Sequence, residues 1–145
     1  MCVLHVSGKN LDPAALLEGT HLYAYRVYQV GQPRRHFPDG SRHTSSGFSV
    51  NVSDASWSDL RQQVEDACEF LDRHAEDIRR ILDSGTVDDM RLDFPIHSRL
   101  GEKFAQFDLF PAKLVTMAGV FGIGLELSTY RVPEEQTAGP GDRAG

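Results

Sequence analysis

The chain has 145 residues, 40% of them hydrophobic and 25% charged, with a formal net charge of −6. That is enough for one packed core and too little for two, and the composition excludes disordered and fibrous classes. The acidic balance disfavours nucleic acid and anionic membranes as partners, because a basic face supplies most of that affinity.

No apolar run approaches the ~20 residues needed to cross a bilayer, and the opening MCVLHVSGKN has neither a basic leader nor a long apolar stretch. A cytoplasmic protein is therefore expected. Residues 2–7, CVLHVS, read as a first strand ended by Gly8 and Asn10. In LDPAALLEG, Asp12 is placed to cap, Pro13 stands at the first helical position and Gly19 is a stop, which predicts a short helix. HLYAYRVYQVG and GFSVNVS alternate as second and third strands.

The strongest periodicity runs from Trp57 to Ser84. Leu60, Val64, Ala67, Cys68, Leu71, Ala75, Ile78, Ile81 and Leu82 recur at three and four, after Ser56 or Ser58 as N-cap and before Gly85 as stop. The spacing predicts a single helix about 39 Å long, whose overhang would meet a second copy. Its outer face carries eight acids and four arginines, with Arg61–Glu65, Glu69–Arg73 and Glu76–Arg80 at i,i+4. His74 reads as a helix-boundary residue. DMRLDFPIHSR alternates again, and Pro95 predicts an edge strand or a bulge because it cannot donate to a ladder. KFAQFDLFP reads as a further strand with Ala105, Phe107 and Leu109 on its core face; a helix opened by Pro111 and closed near Gly122 follows, then a last strand IGLELSTYRV. From Pro133 onward no apolar residue exceeds alanine, so residues 133–145 are expected to be a disordered tail behind one domain of residues 1–132.

The elements predict an α+β fold: a mostly antiparallel sheet of five or six strands with one long and one or two short helices on one face, in an order with ferredoxin-like elements. VSGKNLDPAALLEGT, SGFSVNVSDAS, VEDACEFLDRHAEDIRRIL, LDFPI and GIGLELSTY together resemble the bacterial domain of unknown function 4279 family over about residues 3–130. The resemblance implies an α+β fold and a bacterial, cytoplasmic origin, and brings no catalytic residues with it.

The chemistry-bearing patterns are few. GVFGIG follows a helix and precedes a strand, the reverse of a dinucleotide fingerprint, and reads as a helix stop. His36 and His43 lie six intervening residues apart with no cysteine pair near them, so neither a metal nor another cofactor is expected. Cys2 and Cys68 are expected to be reduced and buried. HTSSG lacks a nucleophile elbow, and Asp88–Asp89 and Glu134–Glu135 read as turn and tail, so no catalytic residue is assigned. Tyr23, Tyr25, Tyr28, Phe104, Phe107 and Phe110 are expected to pack across strands rather than stack a ligand.

One segment stands apart. QPRRHFPDGSRHTSSG, residues 32–47, sets three arginines against Asp39. Its candidate ligand residues are Arg34, Arg35, His36, Arg42 and His43. Two functional readings result. One is a non-enzymatic protein-binding or immunity-like module, with a homodimer or another protein as partner, acting through the acidic helix face. The alternative is a small-molecule or anion-binding enzyme or sensor using this basic loop, and the two differ in whether the arginines converge on a concavity.

Overall fold

The computed structural model describes residues 1–133. Nearly all of the expected tail, 133–145, lies outside the described residues. The elements in chain order are β1 (Cys2–Gly8), α1 (Pro13–Leu17), β2 (Ala24–Tyr28), β3 (Ser46–Ser53), α2 (Leu60–Arg73), α3 (Ala75–Asp83), β4 (Asp89–His97), α4 (Ala112–Phe121) and β5 (Gly124–Tyr130). The five strands form one sheet in the order β2-β3-β1-β4-β5, antiparallel except that β5 runs parallel to β4. The first four give the split-βαβ order of a ferredoxin-like unit, so the α+β expectation holds. Helix α4 is the crossover that a parallel fifth strand requires.

Period two assigns the two faces of the sheet. Leu4, Val6, Phe48, Val50, Leu92 and Phe94 join Val64, Leu71, Ile78, Ile81 and Leu114 of the helices in one buried cluster. All four helices contribute to it, since Leu16 and Leu17 of α1 pack against its rim. The alternate positions, His5 and Ser7 of β1, Ser49 of β3 and Arg91 of β4, lie opposite one another in register on the other face. That face is polar and, among the described residues, carries no helix. Cys2 and Cys68 are buried and free, as expected.

The two short helices form as their end residues dictate. Asp12 accepts from the Ala15 N–H at 3.3 Å with Pro13 behind it, and Gly122 closes α4 at φ 68°, where a side chain would be strained.

Several expectations are corrected. The 57–84 segment is two helices, not one 39 Å rod. His74, at φ −106° and ψ 20°, is both the end of α2 and the start of α3. Its ring packs on Phe70 with centroids 4.6 Å apart, and its Nδ1 meets Asp77 at 3.1 Å, so local bonds stabilise the break. The overhang argument for a second copy lapses with the rod. The N-cap is Asp59, which accepts from the Gln62 N–H at 3.1 Å, while Ser56 and Ser58 bond each other. Of the three helix ion pairs, Arg61–Glu65 forms at 3.2 Å, whereas Arg80 donates to the Gly19 carbonyl at 3.1 Å instead.

Strand β4 is not an edge, because β1 and β5 flank it. Backbone groups of successive residues face alternate neighbours: Ser98 N–H bonds Tyr130 of β5, and His97 N–H bonds Trp57 on the opposite side. Pro95 faces the same way as His97, and the β1 register stops at Asp93, so no ladder bond is missing.

Residues 103–111 form no strand. The flank of β4 beside it is taken by β5, and the segment closes on itself through Arg99, which pairs with Asp108 at 2.7 Å. Phe110 packs on Phe94 at 5.0 Å, while Phe107 and Leu109, assigned to a core face, are 88% and 79% exposed.

Candidate anion-binding cavity on the open sheet face

The connection between β2 and β3 is an ordered ribbon. Gly31 N–H donates to the His43 carbonyl at 2.8 Å, His43 N–H to Gln32 at 2.9 Å and Arg34 N–H to Ser41 at 2.9 Å. Asp39 holds the far turn by accepting from the Ser41 N–H at 2.9 Å, with Gly40 next to it at φ 72°. That N–H keeps the Asp39 carboxyl below its ordinary range. The ribbon thereby fixes which loop residues face the sheet.

A cavity of about 360 Å³ opens between this ribbon and the polar face. Arg34, Arg42 and His43 enter it from the ribbon; Arg26 and Tyr28 of β2, Ser49 of β3, His5 and Ser7 of β1 and Arg91 of β4 enter from the strands. Among the described residues no carboxylate lines it. Arg91 is neutralised, bonded to Asp89 and to Glu126 at 2.5 Å. Among the described residues no carboxylate forms an ion pair with Arg26, Arg34 or Arg42. Three guanidinium groups therefore share one concavity with no carboxylate at ion-pair distance among the described residues, although Arg34 feels the charge of Asp39 at the far turn.

The neighbours hold these groups in place. Arg42 donates to the Gly31 carbonyl at 2.7 Å, which braces the neck of the ribbon. Arg34 lies over the Phe37 ring at 4.1 Å and Arg26 over the Tyr28 ring at 5.4 Å. His43 stacks on Tyr28 with centroids 4.3 Å apart and planes 22° apart. Burial lowers the pKa of the His43 imidazole, and the charges of Arg26 and Arg34 lower it further. An anion placed among the arginines would act in the opposite direction. At the floor, His5 Nδ1 meets Ser49 Oγ at 2.9 Å, and its Nε2 lies 4.0 Å from Asp93. Burial pushes the Asp93 carboxyl up, but His5 and the Ser128 hydroxyl outweigh it and hold the group below its ordinary range.

The five residues predicted from the loop divide. Arg34, Arg42 and His43 converge on this cavity; Arg35 and His36 line an adjoining one of about 790 Å³, where His43 also takes part. Sequence reasoning missed Arg26, Arg91, His5 and Ser49. Their signal was present as the polar alternates of four strands, but only the strand order shows that they meet. The aromatic cluster packs across strands less than expected. Tyr23, Tyr25, Phe104 and Phe107 are exposed, and Tyr28 packs on His43.

A further cavity of about 420 Å³ lies where the end of β3 meets α2. Of its three acids two are already engaged, Asp54 by Asn51 at 2.6 Å and Asp66 by Ser53 at 2.5 Å and Gln62 at 2.8 Å; Glu69 is the third. Among the described residues no group of three metal-ligating side chains could hold an ion, and no helix is long and apolar enough to cross a membrane. No family model matches the chain, nor does any curated protein or solved structure.

Proposed function

We propose that the protein is a binding module or sensor for a small phosphate-bearing ligand, held in the cavity under the β2–β3 ribbon. The observation that carries this reading is the convergence of Arg26, Arg34 and Arg42, without a paired carboxylate, on one concavity lined otherwise by hydroxyls, imidazoles and the carboxylate-paired Arg91. Guanidinium forks match phosphate oxygens in pairs, and such charge-assisted bonds are about twice as strong as neutral ones. The net charge of −6 does not oppose it, because a compact ligand needs only local positive potential.

Thermal unfolding with inorganic phosphate tests it. At one hundred times the dissociation constant the ligand adds about 2.7 kcal/mol, which raises Tm by about 8–10 °C in a chain of this size. Phosphate also stabilises proteins generically by exclusion from their surface, so an Arg34→Gln/Arg42→Gln variant gives the baseline. Equal shifts in wild type and variant would remove the proposal.

A second reading, a non-enzymatic protein-binding or immunity-like module that includes pairing of two copies, is favoured by one observation. Phe104, Phe107 and Leu109 stand 103%, 88% and 79% exposed in a single segment, and adjacent apolar side chains in water favour a partner surface. Sedimentation at tens of micromolar, with Phe104→Ser/Phe107→Ser as control, tests pairing; only a 16.1 kDa species in the wild type would exclude it.

A further inference from the structure

The cavity of about 360 Å³ and the adjoining one of about 790 Å³ share Arg26, Tyr28 and His43 in their walls, so they lie side by side as a smaller and a larger arm. Their chemistry differs. The smaller arm presents charge and hydroxyls, whereas the larger adds Tyr25, Val27 and Pro33 beside Gln32, Arg35 and His36. Tyr25 is 51% exposed on the edge strand and faces water, while Val27, opposite Phe48, stands on the helix-bearing side. Tyr25 falls at the register shift between Ala24 and Arg26, and a bulge of this kind re-aims a side chain away from the regular pleat.

Two polar groups stand on the same wall. The Gln32 side-chain oxygen is occupied, accepting from the Gln29 N–H at 2.8 Å, while its amide N–H groups have no partner among the described residues. His36 has φ 94°, the one non-glycine residue among those described with positive φ. Strain of this kind persists where the surroundings over-determine it, and it gathers at ligand clamps.

From this pairing we infer that the ligand belongs to the nucleotide class: a phosphate among Arg26, Arg34 and Arg42, and a flat ring system in the larger arm against Tyr25. Gln32 and His36 stand where they can bond the edge of that ring. The inference rests on the phosphate-binding reading and adds the second half of the ligand to it. The larger arm alone, about 790 Å³, lies within the range of ordinary small-molecule sites and accommodates a ring system. Aromatic side chains stack any base through its π face, so the wall suits the class and leaves the base open.

Calorimetric titration at fixed ionic strength with inorganic phosphate, ribose 5-phosphate and the four common nucleoside 5′-monophosphates tests it, on wild type and on Tyr25→Ala. At least one nucleotide should bind about tenfold more tightly than ribose 5-phosphate. Tyr25→Ala should return that nucleotide to the ribose 5-phosphate level and leave inorganic phosphate binding unchanged, which also reports an intact fold. His36→Ala serves as a second variant with the same expected direction. If ribose 5-phosphate and all four nucleotides bind within about twofold of one another, the nucleotide inference falls and phosphate binding stands. If no probe binds, inorganic phosphate included, both fall.

Discussion

Gly47→Ala tests the wall of the site through a single methyl group. Gly47 lies on β3 between Tyr28 of β2 and Ser7 of β1. A Cβ there would stand 2.4 Å from the Val6 carbonyl oxygen, 2.5 Å from Tyr28 Oη and 2.7 Å from its Cζ. All three are inside contact distance, so a strand or the phenol ring must move. With free space, alanine in a strand would stabilise by about 0.5–1 kcal/mol relative to glycine. Overpacking costs about 1–3 kcal/mol, which leaves a net loss of about 1–2 kcal/mol and lowers Tm by about 4–6 °C. Urea unfolding should show a lower midpoint with an unchanged slope. Displacing Tyr28 also breaks its stack with His43, so phosphate affinity should fall in the same variant. In a Tyr28→Ala background two of the three contacts vanish, and the double-mutant cycle should show coupling of about 1 kcal/mol. A Gly47→Ala protein with wild-type stability and binding would refute the placement of Tyr28 across β3.

The same physics makes three further predictions. Sulfate keeps its charge from pH 5 to 8, and its affinity should rise as pH falls, because a bound anion draws a proton onto the His43 imidazole, whose pKa burial and Arg26 and Arg34 otherwise depress; calorimetry on His43→Gln should show a flatter dependence. Gln63 is fully buried and donates to the carbonyls of Ser56 at 3.0 Å and Pro95 at 2.9 Å; Gln63→Leu strands the Pro95 acceptor, while Ser56 keeps its bond from the Asp59 N–H, and should cost about 1 kcal/mol by urea unfolding. Burial pushes the Asp77 carboxyl up, but bonds from His74 and the His21 N–H outweigh it and hold its pKa down, so its stabilisation is present above the unfolded value and is lost as pH falls through the folded one. Asp77→Asn should therefore be less stable than wild type near pH 7, with the gap narrowing below about pH 4 in a pH series of melts.

Local chemistry made most of the fold legible in the sequence. Asp12 with Pro13, and Pro111 with Gly122, bound α1 and α4 as their types require. The alternation in DMRLDF separates Met90, Leu92 and Phe94, which are buried, from Arg91 and Asp93. Where the reading failed, the deciding partner was remote. The apolar stripe keeps its phase through His74, so the pattern does not register a break stabilised by Phe70 and Asp77. Ala105, Phe107 and Leu109 alternate as a strand does, but alternation is silent on whether a sheet edge is free to receive it. Half of the candidate site was visible as a run of charge in one loop. The other half is one or two residues from each of four strands, and their meeting depends on a strand order that pattern alone does not supply.

The most direct measurement is side-chain NMR of the arginine Nε–H groups during a phosphate titration. The account predicts that Arg26, Arg34 and Arg42 shift together on one saturating curve, with His43 following, while Arg61 and Arg99 on other surfaces stay where they are. Uniform, non-saturating shifts across all the arginines would contradict it, since they would mean that phosphate acts only as screening salt and that the cavity is no site.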